Sequence, residues 1–455
     1  MKKEWLLLAG VTVSTLVLAL GMIRWLAPTL LGEPADMRLV QADTREIPFF
    51  DAVFRPLPDQ ENPFLLPDPI TRVRNNPLLA ETPTTGPHDL LGFRNRSIPR
   101  VTDLLVIGDS QTYGNNVVLD ANWPSRLQQK LADEKTTLYN MAVGGWCGVQ
   151  YLELFRKGLR LRPRVVIVAF YTGNDALESF MMAYGHERWQ NLRPDPTLTA
   201  RDAPQVAFPP PASEMERISF ADGTETILLP ALRLGSNGDH PAIRAGYAIL
   251  AEVGRRIGAE AKAAGAGILF ALIPSKERVY HQRVLKEKRP ASPVYQELAR
   301  QEQAHAERLA AALAAIPQTR VVDLLPSLSQ AAMTTPGLYP DGPDGHPLEA
   351  GYRVIGEALA PVVTALLPTR PRGLVAVMQN RESFQAWLIT PEGRWVVPPD
   401  PELIQANGWP MEPLRAISER DLTALPILGI MERDPKRFGP DAISPQPEKR
   451  SFVTP

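Results

Sequence analysis

The sequence predicts an α/β fold with a mostly parallel sheet, an apolar N-terminal helix and a small C-terminal β appendage. Three observations point there. Apolar runs such as Arg164–Phe170 (RVVIVAF) and Gly267–Ile273 (GILFALI) lack polar alternation, which suits strands buried on both faces. Stretches with apolar residues at helical spacing lie between the runs, so strand and helix alternate. Clusters of Gly, Asp, Asn and Ser follow several runs, at the strand ends where open α/β sheets bind their ligands.

Composition sets the outer bounds. Across 455 residues, Lys+Arg 49 against Asp+Glu 50 excludes a polybasic nucleic-acid binder and a strongly acidic tail protein. A hydrophobic share of 44% with 22% charged residues is globular composition, ample for a core. The single cysteine, Cys147, excludes an intrachain disulfide and any Cys-based zinc or iron–sulfur site. Proline, at 46 residues, is about twice the usual ~5% and implies long irregular connections where it clusters.

In chain order, residues 1–31 read as a membrane anchor. Lys2 and Lys3 precede an uncharged apolar run, Trp5–Ile23, close to the ~20 residues that span a bilayer as helix. The two lysines place the short leading segment in the cytoplasm, and Trp5 and Trp25 sit where interfacial aromatics anchor a span. The competing reading, a cleaved signal peptide, meets a poor cleavage site at Val17-Leu18-Ala19. Residues 32–100 form a proline-rich tether and irregular segment, within which Asp89–Asn95 (DLLGFRN) has the alternation of an ordered stretch.

The α/β rhythm occupies 101–368. Strands are expected at Leu104–Ile107, Thr137–Val143, Arg164–Phe170, Gly267–Ile273 and Thr319–Leu324. Helices are expected at Trp123–Ala132, Gln150–Leu161, Ile243–Ala264, Pro293–Ala315 and Pro347–Leu366. Residues 176–240, with Pro209-Pro210-Pro211 near their centre, interrupt the rhythm as an insertion, a lid or specificity element. Residues 369–455 are the appendage: three short strands, Gly373–Met378, Phe384–Ile389 and Arg394–Val397, then a proline-rich irregular tail that offers a surface to a protein partner.

Four polar clusters fall at one edge of this sheet. Gly108-Asp109-Ser110 follows the first strand; alone, Asp-Ser there is an N-cap. Gly144-Gly145 follows the second and permits a tight turn with an exposed N–H, suited to an oxyanion hole or simply to a connection. Gly173-Asn174-Asp175 follows the third, where an Asn amide can donate into the cleft or serve a turn. Asp341-Gly-Pro-Asp344-Gly345-His346 precedes the last helix and can pair a carboxylate with an imidazole.

Taken together, the four blocks resemble the SGNH/GDSL hydrolase superfamily over about Asp103 to Leu366, and Gly108–Trp123 (GDSQTYGNNVVLDANW) resembles its membrane-anchored bacterial members. The resemblance implies a flavodoxin-like three-layer α/β/α sheet and a serine esterase or acyl-transfer enzyme acting on an ester or acylated glycan, outside the cytoplasm. By the same resemblance Ser110 is the nucleophile and His346 the base; Ser110 and Gly145 backbone N–H groups and the Asn174 amide form the oxyanion hole. Two positions depart from the pattern. Gln111 stands where the family has leucine, and the acid three residues before the histidine is replaced by Pro343. Asp344 gives Asp-x-His, the spacing of the alginate O-acetyltransferase branch, with Asp341 as the fallback acid. The stretch Pro274-Ser-Lys276-Glu-Arg278-Val-Tyr280 resembles one in polysaccharide O-acetyltransferases, against the plain reading that Lys276 and Arg278 flank a strand end. Esterase, O-acetyltransferase and catalytically silent membrane-tethered scaffold are therefore the readings in play. His88, His186, His240, His281 and His305 lie singly, so neither a metal nor a cofactor is expected. Cys147 reads as a packing residue.

Overall fold

A computed structural model describes residues 64–367, except 69–70, 78, 90, 100–101, 132–135, 205–214 and 230–236, and then 374–379, 384–390, 393–397, 425–433 and 443–447. The expected anchor, Trp5–Ile23, and most of the tether lie outside the described residues. Among the described residues no helix is long and apolar enough to cross a membrane. The chain divides into two compact units after Leu79. The described part of the first is a two-stranded antiparallel hairpin, Leu65–Asp68 with Arg72–Asn75, whose turn is tied by Asp68 accepting from the Thr71 N–H at 2.7 Å.

The second unit is built on five parallel strands: β1 (Leu104–Gly108), β2 (Leu138–Ala142), β3 (Val165–Tyr171), β4 (Gly267–Ile273) and β5 (Thr319–Asp323). Their order across the sheet is 2-1-3-4-5, that of a doubly wound sheet whose order reverses beside β1. Every residue of β1 and β3 is buried, which is why both read as unbroken apolar runs.

Nine helices among the described residues complete the unit: α1 (Ser110–Tyr113), α2 (Trp123–Lys130), α3 (Gly148–Gly158), α4 (Asp175–Gly185), α5 (Pro241–Ala264), α6 (Lys276–Lys286), α7 (Pro293–Ala314), α8 (Leu325–Ala332) and α9 (Glu349–Leu366). Strand alternation sorts the core into two layers. Leu104, Val106, Ile167 and Leu269 join Trp123 and Leu127 of α2 and Tyr352, Ile355 and Leu359 of α9 in one cluster. On the other face Phe170 stacks on Phe270 and meets Tyr151 of α3, and the close approach of Gly254 on α5 leaves room for Leu313 of α7.

Helix starts follow local chemistry: Asn122, Ser275 and Ser292 each cap the following helix by accepting a backbone N–H, and Pro124 and Pro293 fall in first turns, where no N–H is needed. All five expected strands and the five expected helices are present within a few residues of their expected ends.

Elsewhere the structure differs from expectation. The inserted stretch begins as helix α4 and later forms a hairpin, Glu216–Ser219 with Glu225–Leu228. That hairpin buries Ile218 and Leu228, and its Ile227 N–H donates to the Asp341 carbonyl at 2.9 Å. It is packed structure beside the loop carrying Asp341 to His346. Helices α6 and α8 also escaped the periodicity, because α6 (KERVYHQRVLK) is dominated by charge and α8 (LPSLSQAA) is only eight residues long. The C-terminal region is a five-stranded sheet: Leu374–Gln379, Phe384–Thr390, Gly393–Val397, Ile427–Arg433 and Ile443–Pro447, in that order. Its first three strands match expectation; the last two correct the irregular tail. Pro445 and Pro447 sit in the last strand, which is an edge, where missing donors cost the ladder little.

Candidate active site

Ser110 opens α1 directly beyond β1. Asp109 caps that short helix, its carboxylate accepting the Gln111 N–H at 3.0 Å, and Ser110 is thereby fixed at the sheet edge. Ser110 Oγ lies 2.7 Å from His346 Nε2, across 236 residues of chain. On the far side of the ring, His346 Nδ1 lies 2.7 Å from Asp344 Oδ1, and the same oxygen accepts the His346 backbone N–H at 2.9 Å. With the Nδ1 proton directed at Asp344, Nε2 is left as the acceptor for the serine hydroxyl. Burial disfavours the ionised Asp344, but the hydrogen bond and charge of His346, with help from Asn116, outweigh it and hold the carboxyl below the ordinary carboxylate range. Asp341 is exposed and contributes its backbone carbonyl to the hairpin; Asp344 is the acid beside His346.

The Gly144-Gly145 turn lies against the serine: a Cβ on Gly144 would sit 3.7 Å from Ser110 Cβ. Gly145 has φ 77°, the left-handed region that glycine enters without strain, so the turn can present its N–H beside Ser110. At the end of β3, a Cβ on Gly173 would strike the Tyr171 ring at 2.5 Å, so the close turn into α4 requires glycine. Asn174 is the N-cap residue of α4, yet its side chain caps nothing; Nδ2 donates instead to Glu178 Oε1 at 2.8 Å. Asp175 shapes the same turn by accepting the Tyr171 N–H at 2.9 Å.

Several supporting residues were given no part in the site by the sequence, although Gln111 and Lys276 were noted there for other reasons. Asn116 Nδ2 donates to Asp344 Oδ2 at 2.6 Å, and the Asn115 amide comes within 3.5 Å of His346 Nε2. Gln111, noted only as a departure from leucine, donates to the Gly345 carbonyl at 3.3 Å and so ties the serine helix to the histidine loop. Lys276 is fully buried, and its ammonium donates to the Pro340 and Gly342 carbonyls at 2.7 and 2.6 Å. Arg94, equally buried, donates to the carbonyls of Gly86, Gly114 and Val117 at 2.9, 2.6 and 2.7 Å. The only signals available were the Asn115-Asn116 pair following Gly114 and the four-residue spacing of Asn174 and Glu178.

Beneath the site lies a group of buried acids. Burial pushes Asp109 up to about 6 against the opposing charge of His346, and burial with the Asp109 charge pushes Glu178 up to about 8. Burial, then Asp109 and Glu178, also raise Asp175. Cys147 is fully buried with Sγ 2.9 Å from Gln150 Oε1, and burial raises its thiol, so it packs as a neutral group. Of the other histidines, His88 bonds Tyr113 OH at 2.8 Å, His240 caps α5 and His305 stacks on Tyr247. Among the described residues no three His, Cys, Asp or Glu side chains are grouped to hold a metal.

The model of the GDSL-like lipase/acylhydrolase family matches residues 106–354, which span β1 through most of α9. Among solved structures, that of TesA is 18% identical and covers 58% of this chain and 99% of its own, with a TM-score of 0.31. An extracellular lipase from Streptomyces rimosus is 15% identical, covering 58% of this chain and 100% of its own, with a TM-score of 0.33. A GDSL-like lipase from Bacteroides thetaiotaomicron is 14% identical, covering 58% of this chain and 88% of its own, with a TM-score of 0.31. Among curated proteins, none matches the chain.

Proposed function

The chain belongs to the GDSL-like lipase/acylhydrolase family and is an ester-bond hydrolase, and from that premise we propose a serine esterase working by acyl transfer through Ser110. The observation that carries the reading is the unbroken relay from Ser110 Oγ to His346 Nε2 and from His346 Nδ1 to Asp344, each at 2.7 Å.

Ser110 attacks the ester carbonyl while His346 takes its proton, and the imidazolium formed is stabilised by Asp344. The Ser110 and Gly145 N–H groups and the Asn174 amide receive the developing oxyanion. His346 returns the proton to the departing alcohol. Water then attacks the acyl-serine with His346 as base, releasing the acid and restoring Ser110. Ser110→Ala is expected to abolish labelling by a fluorophosphonate probe and to lower turnover of p-nitrophenyl acetate by at least ~10³. Persistent labelling would assign the chemistry to another residue.

A second reading has one observation in its favour: Asp344 and His346 pair across a single residue, the Asp-x-His spacing of the O-acetyltransferase branch. In that case a sugar hydroxyl replaces water in the second half-reaction. Adding a glycan acceptor and following acetylated glycan against free acetate separates the two.

For location, we propose a single-pass protein of the inner membrane with the catalytic unit outside the cytoplasm, on the strength of Lys2, Lys3 and the Trp5–Ile23 run. A reporter fused after Leu366 that works only in the cytoplasm would refute this.

A further inference from the structure

We propose that Glu178 is a positioning residue for the oxyanion donor Asn174, holding the amide in place by accepting one of its two hydrogens. The proposal rests on the reading of Asn174 given above. It starts from what an amide can do. Asn174 Nδ2 carries two hydrogens, and one is taken by Glu178 Oε1 at 2.8 Å. That bond fixes the plane of the amide and leaves the second hydrogen for the cleft. Glu178 lies one turn along α4 from Asn174, so the helix itself sets the distance between them. Without Glu178 the Asn174 side chain is free to turn and cap its own helix, the ordinary role of Asn at that position.

The charge state follows from the surroundings. The groups facing Glu178 are acidic or neutral: Asp109 from the β1–α1 turn, Asp175 on α4 itself, and the Cys147 thiol and Tyr151 hydroxyl from the start of α3. Of these, Asp109 also meets the opposing charge of His346. A carboxylate at Glu178 would add a negative charge behind the donor that receives the oxyanion, opposing the charge that the site must stabilise. A neutral carboxyl still accepts the Asn174 hydrogen without that repulsion. Burial and the Asp109 charge keep Glu178 neutral up to about pH 8.

The test is the pH profile of kcat for p-nitrophenyl acetate, with active-site concentration fixed by fluorophosphonate titration. Wild-type kcat should decline above pH ~8, approaching tenfold per pH unit as the carboxyl ionises. Glu178→Gln, which accepts the same hydrogen but cannot ionise, should lose that decline. Glu178→Ala should lower kcat about tenfold at neutral pH with KM little changed and, having no carboxyl to ionise, should also lose the alkaline decline; Gln should retain more turnover than Ala. In the Asn174→Ala background, replacing Glu178 with Gln should change kcat little at neutral pH. If Asn174→Ala keeps full turnover, the oxyanion reading itself fails. If Asn174→Ala is impaired but Glu178→Gln keeps the wild-type alkaline decline, or Glu178→Ala keeps wild-type kcat, the role given to Glu178 is overturned.

Discussion

At Asn116 the backbone takes φ 73°, a left-handed conformation that asparagine adopts more readily than most residues. The turn is useful because it aims Nδ2 at Asp344, whose other carboxylate oxygen faces His346. Oδ1 of Asp344 thus serves His346, through both its ring and its backbone N–H, while Oδ2 is taken by Asn116, and the acid is held from both sides. Hydrogen bonds to a charged group contribute about 1.5–3 kcal/mol. Asp344→Asn should cost up to ~10⁴ in turnover by presenting the wrong partner to His346, whereas Asp341→Asn should remain close to normal. Asn116→Ala should fall between them, since Asp344 keeps its charge but loses one anchor. Reversal of the two aspartate results in steady-state kcat would place the acid at Asp341. Ser110 and Asn174 were legible because each follows an apolar run where a helix begins, and His346 because it stands beside a carboxylate in the loop before the last helix. Asn116 was not, because its partner is 228 residues away and nothing local marks the pair.

Among secondary-structure elements, β1, β3 and β4 were the most legible, since burial on both faces leaves no polar residue to blur the pattern. The inserted hairpin and helices α6 and α8 were hidden for the opposite reason: short length, charge and surrounding proline leave too few periods to count. What these elements do is hold loops. The segment 338–348 has little regular structure, yet its carbonyls are taken one after another. Lys276 at the start of α6 donates to those of Pro340 and Gly342, the hairpin's Ile227 N–H to that of Asp341, and Gln111 to that of Gly345. Arg94 does the same for the turn after α1, binding Gly114 and Val117 on either side of Asn115 and Asn116. A buried cation therefore fixes each of the two loops that meet at His346. Lys276→Met keeps the apolar stem but orphans buried carbonyls, at about 1–3 kcal/mol each. The melting temperature should drop, and kcat should fall more than KM rises. Full activity in Lys276→Met would show the loop to be held without its ammonium.

At the scale of the whole molecule, the site sits on an electrostatic liability. Asp109, Asp175 and Glu178 crowd beneath it, and each is raised above its ordinary value, first by burial. A carboxyl whose folded value is raised binds its proton more tightly in the native state than in the unfolded chain. Its stabilisation is complete below the unfolded value and is lost as pH rises through the folded one. For Asp109 that loss runs from the ordinary carboxylate range to about 6, and for Glu178 on to about 8. Asp344 acts in the reverse sense: its depressed value contributes stability at neutral pH that is lost only in strong acid. His88, buried and lowered to about 4, adds a second acid-side loss as pH falls from ~6.5 through that value. The catalytic unit should therefore be most stable in mildly acidic solution and weaken toward pH 8–9, although a serine–histidine mechanism needs its imidazole neutral. Glu178→Gln removes the ionisation that runs on to about 8. Its melting temperature should decline less than that of wild type between pH 6 and pH 9, the two curves converging at the acid end. Parallel curves over that range would mean that Glu178 keeps one charge state throughout, and the alkaline loss would then belong to another group.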